Sequence, residues 1–268
     1  MRDFVFFRGC GGLFATTSTA RSKRSHAFGS KSFTVILMVL AMNVQDTLNL
    51  YSDLMVQIKS RHNVLIDIAD NHPHFPLWAK AEIIQLQVRL ICETFALACL
   101  VAHGDVVGSR SARMQSAYQA DFIIKALESL HPYFYPRPTK QIVKNGKVVG
   151  WDEVNDREYL TKDELLKSYR EAADFLHLGD LRDIQTRKQK PFDVAAIQKW
   201  SNKVVGLLNH HNIFLADPPD EKPKLRPDGV PVPKRQILAM MQSTNNGKVQ
   251  TALFTRADHL PWPDDTAP

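Results

Sequence analysis

The sequence predicts a mainly α protein, a helical bundle of about five main helices with two β-hairpin additions. Three observations predict it. Apolar residues recur every three or four positions over long stretches of the 268-residue chain. Proline-rich segments separate those stretches, and two short sequences, Asn145-Gly146 and Asn245-Asn246-Gly247, sit between runs of strand-forming residues.

The first helix is expected from about residue 44 to 69, because Val44, Leu48, Tyr51, Met55 and Ile58 step by four and three along one face. NHPHFP, residues 71–76, breaks it: a proline disfavours helix in the residue before it, while Pro76 suits a first helical turn. The next segment is apolar nearly all round from Ile83 to Ala102, which predicts the central, buried helix of the bundle. Glu82, Arg89 and Glu93 interrupt it, so a buried helix is expected and no membrane span.

A third helix is expected from Ser111 to Leu130, with Met114, Tyr118, Phe122 and Leu127 or Ile124 inward, closed by the prolines of HPYFYPRP. Residues 141–151 then read as a short hairpin turning at Asn145-Gly146. Thr161 to Glu164 form a capping box that opens a helix with Leu165, Tyr169, Ala172 and Leu176 inward and Gly179 as its stop. Another helix follows Pro191, with Val194, Ile197, Ser201, Val204 and Leu208 on one face, ending near His210.

The expected organisation is therefore a basic tail over 1–41, a helical bundle over 42–216 carrying the inserted hairpin 141–151, a linker over 217–234 and a C-terminal β-hairpin over 235–258. Six prolines in 217–234 exclude helix or central strand there. The formal charge of +6 belongs to the tail: Arg2, Arg8, Arg21, Lys23, Arg24 and Lys31 stand against Asp3, leaving 28 basic and 27 acidic groups in the other 227 residues. The body thus has no overall nucleic-acid footprint.

The tail itself allows a secretory signal, a transit peptide, or a start of translation at Met38 or Met42, and the last fits the onset of regular patterning after Met42 best. Its apolar run, residues 33–42, covers about half the roughly 20 residues a membrane helix needs. Cys92 and Cys99 are seven apart on one helix, about 10 Å and too far for a disulfide, so they read as buried thiols of a reducing, cytoplasmic compartment.

Phosphate-binding loops, dinucleotide fingerprints, zinc signatures and nucleophile elbows are absent from the sequence. No cofactor and no metal site is expected: His72 and His74 lie in a proline loop, His210 and His211 at a helix end, and no third ligand is marked. Tyr133, Tyr135, Arg137 and Lys140 are residue types that stack bases and contact phosphates, which makes them the candidate RNA contacts. The alternative is that the aromatics plug the open end of the bundle.

SYREAADFLHLGDLRD, residues 168–183, holds the nearest approach to a catalytic pair. Seven residues turn a helix through almost two turns, placing Arg170 and His177 on one stripe about 10 Å apart. An arginine there would steady a phosphate while the imidazole handles the proton of a ribose 2′-hydroxyl. Asp174, four residues after Arg170 and three before His177, offers a purely structural ion pair for both instead.

Arg170, six intervening residues and His177 on a late helix resemble the R-x4-6-H motif of the HEPN superfamily, and FLHLGDLR is similar to an FLH stretch in uncharacterised bacterial members. The resemblance spans residues 44–210. It implies a metal-independent endoribonuclease of toxin or defence type, acting on RNA as a homodimer with Arg170 and His177 as its catalytic residues. Glu171 stands where the family usually carries Asn, Asp or His. The alternative function is a non-catalytic helical module that binds a protein partner or regulates one.

Overall fold

The computed structural model describes residues 43–255 except 107, 146, 155–157, 178, 180–181, 183–184, 186–189, 217–224, 226–228, 230–231, 233 and 242–248, and gives only the backbone for 147–150. The basic tail, the residues between Leu225 and its neighbours in the proline-rich segment, and the Asn245-Asn246-Gly247 turn therefore lie outside the described residues.

Asn43 caps the first helix, α1 (Val44–Asn71), its side-chain oxygen accepting the Asp46 amide at 2.8 Å. Of the expected stripe Leu48, Tyr51, Met55 and Ile58 point inward, extended by Leu65 and Ile68, whereas Val44 in the first turn is exposed. A turn in which the Phe75 amide donates to the His72 carbonyl leads to Pro76, the N-cap of α2 (Leu77–Ala102). Packed by α1, by α4 (Ala120–Leu130) and by α5 (Lys162–Leu176), α2 is the centre of the helical layer. Its length and composition would suffice to cross a membrane, and half of its most apolar window is buried against these neighbours. The helix expected over 111–130 is in fact two: α3 (Ala112–Gln115), capped by Ser111, and α4. The break at 116–119 leaves Tyr118, expected inward, 63% exposed.

The expected mainly α bundle with two separate hairpins is corrected by the strands. β1 (Arg137–Lys144) pairs with β2 (Lys147–Glu153), and β4 (Arg235–Met241) with β5 (Val249–Thr255), but both hairpins flank a fifth strand, β3 (His210–Phe214). All five form one antiparallel sheet, ordered β2-β1-β3-β4-β5, so the fold is mixed α/β. The physical reason is that a hairpin alone buries too little. β3 follows α6 (Val194–Leu208) without a loop and supplies backbone partners to both pairs, while Ile213 packs in the core beside Ile237 and Ala239 of β4. In β1–β2 the turn is as expected: Lys144 faces Lys147 across a two-residue connection, and Asn145 has φ 52°.

The sheet is stitched to α1. Ser52 Oγ donates to the Val249 carbonyl at 3.0 Å, and Tyr51 reaches His211 of β3. Behind α5, a glycine fixes how α6 seats: a Cβ on Gly206 would lie 2.4 Å from the Glu158 carbonyl oxygen, and the neighbouring Leu160 amide donates to the Lys203 carbonyl at 3.0 Å.

Candidate functional site

The capping box that opens α5 is present in both directions: Thr161 Oγ1 accepts the Glu164 amide and Glu164 Oε2 accepts the Thr161 amide. Leu165, Leu166, Tyr169 and Ala172 bury one face, which leaves Arg170, Glu171 and Asp174 exposed. Arg170 Nε donates to the Leu166 carbonyl at 3.0 Å, so its guanidinium folds toward the start of the helix, away from His177. The helix stops at Leu176, and His177 has φ −78° and ψ 139°, extended backbone off the helical stripe. Gly179, with φ 86°, completes the exit.

The structure therefore does not bring Arg170 and His177 together as a pair. Among the described residues no hydrogen bond or ion pair joins either of them to Asp174, so the structural alternative is not formed either. The free carbonyls at the end of α5 are taken by Lys190 instead: its Nζ donates to Asp174, Phe175 and His177, with the ammonium 6.0 Å from the Phe175 ring centre. This is the cation that the helix dipole calls for, supplied from thirteen residues downstream of His177.

A cleft of about 760 Å³ lies between α5 and α6, with Glu171, Asp174, Lys190 and Lys203 among its walls and Trp200 in its lining. Neither Arg170 nor His177 lines it. Four lysines and four carboxylates line it, with Lys203–Glu164 paired across it and Lys167–Glu171 paired along α5, so its lining carries no net charge to hold an RNA backbone.

The four candidate RNA contacts are divided. Phe134 between them is buried, and Tyr135 packs 5.3 Å from the Phe95 ring while its hydroxyl donates to the Leu160 carbonyl at 3.0 Å. Burial raises the Tyr135 phenol well above its ordinary value. Arg137 lies over the Phe214 ring at 4.7 Å and the Tyr133 ring at 5.9 Å, with Glu153 at 3.5 Å. Tyr133, Tyr135 and Arg137 share a recess of about 360 Å³, whereas Lys140 stands outside it beside Asp152 at 4.0 Å. Phe134 and Tyr135 thus pack inward against the helical layer, while Tyr133 and Arg137 line the recess.

The histidines are placed by packing. His211 is buried, donating from Nδ1 to the Leu208 carbonyl at 3.0 Å and accepting from the Tyr51 hydroxyl at Nε2, 2.6 Å away. Desolvation lowers it to about 4, and the same effect raises Tyr51 well above its ordinary value. His103, equally buried, lies between the Cys99 and Phe214 carbonyls at 2.8 and 3.2 Å, and desolvation lowers it to about 4 as well. His62 meets the Ser201 hydroxyl at 2.6 Å, the first half of a nucleophile–base arrangement, but Ser201 is buried in α6 where no substrate carbonyl reaches it. Among the described residues no three His, Cys, Asp or Glu side chains are grouped to hold a metal ion.

One feature was not singled out from the sequence. At the α1–α2 corner Leu77 is 64% and Trp78 66% exposed, and Phe75, 42% exposed, stacks on His72 at 5.2 Å. The signal was present as HPHFPLW, where two prolines hold apolar residues in a turn. Comparison with known proteins found no matching family model, no similar curated protein and no similar solved structure.

Proposed function

We propose that this protein is a non-catalytic interaction module that engages a protein partner through the α1–α2 corner. The observation that carries the reading is Trp78, two-thirds exposed on the first turn of a rigid helix with Leu77 and Phe75 beside it. Exposed aromatics clustered on a rigid scaffold are the residues that dominate interface energetics, because they desolvate a large area at little cost in side-chain entropy. Pro76 and the His72–Phe75 stack hold the corner before any partner arrives. Asp70, Lys80 and Glu82 flank it with charges of both signs, and Asp67 is held by His72 and Asn71, so the matching surface is chiefly an apolar pocket.

A photo-crosslinking amino acid at position 78 tests this in cells. One discrete adduct, missing when the same group replaces Lys167 on α5, supports the reading, and an adduct of twice the chain's mass identifies a second copy as the partner. No adduct at position 78 overturns it.

The HEPN-like endoribonuclease is the second reading. Its support is that Arg170 and His177 are both open to solvent, so a second copy could complete a site around them. Cleavage of RNA in EDTA that falls about 100-fold in His177→Ala would establish it in place of the first.

A further inference from the structure

A cavity of about 270 Å³ lies at the opposite end of α1 from the exposed corner, where the first turn of α1, the last turn of α2 and strands β4 and β5 meet. Leu48, Val101, Leu215, Ile237 and Leu253 give it apolar walls. Thr47 and Gln115 are its neutral polar residues on α1 and α3, and its charged residues gather around the turn that follows α2. Arg110 Nε donates to the Gly104 carbonyl, and an Nη of Arg235 donates to Asp105 at 2.8 Å and to the Ala216 carbonyl at 2.8 Å. Because Gly104 and Asp105 are adjacent, both guanidinium groups stand together in a space whose other walls are mostly apolar.

We infer that this cavity binds a small apolar carboxylate, a straight-chain acid of about six to eight carbons. Size sets the length: at about 30 Å³ for each water-sized group, the space holds about nine heavy atoms, below the range of drug-sized pockets. Charge sets the head group. Two guanidiniums face one carboxylate, Asp105, and each keeps further N–H donors in the planar fork that matches a carboxylate. The end of α2 would by itself repel an anion, but the His103 and Gly104 amides already occupy the Cys99 and Val101 carbonyls, and Arg110 covers that of Gly104. The acyl chain then fills the apolar walls while its carboxylate meets Arg110 and the open side of Arg235.

The test is calorimetric titration of the full chain with octanoate and, as its charge-reversed match, octan-1-amine. Octanoate is expected to bind with a Kd of about 0.1 to 1 mM and the amine at least tenfold more weakly. Arg110 is exposed, so Arg110→Gln, which keeps a side-chain N–H for the Gly104 carbonyl, is expected to weaken octanoate at least tenfold while the unliganded protein stays folded. Val44, 55% exposed at the mouth, gives a second variant: Val44→Trp is expected to abolish octanoate binding. Equal binding of acid and amine, octanoate binding untouched by both substitutions, or no binding at millimolar concentration would each overturn the assignment.

Discussion

Lowering the pH from 8 to 5 should destabilise this protein more than its surface charges would suggest, because two fully buried histidines are held neutral. In the unfolded chain His103 and His211 take up a proton near their ordinary 6.5, whereas in the native core desolvation delays this to about 4. Between those values the unfolded state binds more protons, so stability falls as pH falls through the window and is flat above it. Each histidine contributes about 3 kcal/mol in full and about 2 kcal/mol by pH 5, giving about 4 kcal/mol for the two. His62, also lowered chiefly by desolvation, acts in the same direction. The chemistry at His211 is specific: a second ring proton at Nε2 would force the Tyr51 hydroxyl to turn and accept, leaving its own buried proton without that acceptor. Urea unfolding followed by circular dichroism measures the effect, and with a slope of about 2 kcal/mol per molar the midpoint should move down by about 2 M between pH 8 and pH 5. A midpoint that stays put, or an NMR titration of His211 centred near 6.5, would refute the reasoning.

Tyr51→Phe should cost about 1 to 3 kcal/mol at pH 8, because it leaves the buried His211 Nε2 without a donor, and urea midpoints will read it. Gly206→Ala should also destabilise, although alanine favours helix by about 1 kcal/mol, since its Cβ cannot coexist with the Glu158 carbonyl; a rise in thermal midpoint would count against the observed seating of α6. Lys190→Ala should lower stability by about 1 kcal/mol through loss of the α5 cap, while His177→Ala should change it by less than about 0.5 kcal/mol, both read from urea midpoints.

Long elements were legible in the sequence for a clear reason. The stripe of α1 and the capping box of α5 are local patterns, and local patterns survive folding when tertiary packing agrees with them. β3 was not legible. Five residues directly after a helix are too short to display alternation, and His210-His211 read as a helix end, so the strand that merges both hairpins into one sheet was missed. The break between α3 and α4 carries neither proline nor glycine, only Ser116, Ala117, Tyr118 and Gln119, and a continuous pattern ran through it. At the candidate site the error was of the same kind. Placing Arg170 and His177 on one stripe required the helix to run through His177, but it stops at Leu176 and the carbonyls of its last turn bind Lys190, a partner no local rule reveals. Conversely, HPHFPLW showed as a loop, and the exposure of Leu77 and Trp78 became visible once α1 and α2 were packed together.

The most direct measurement is the yield of cross-linked product when the photoreactive group sits at position 78, compared in cells with the group at position 167. A protein that acts by docking its α1–α2 corner should give a discrete adduct at 78 that disappears when Leu77→Asp is added, with the thermal midpoint of that variant unchanged. An adduct that survives that charge, or no adduct at position 78, would contradict it.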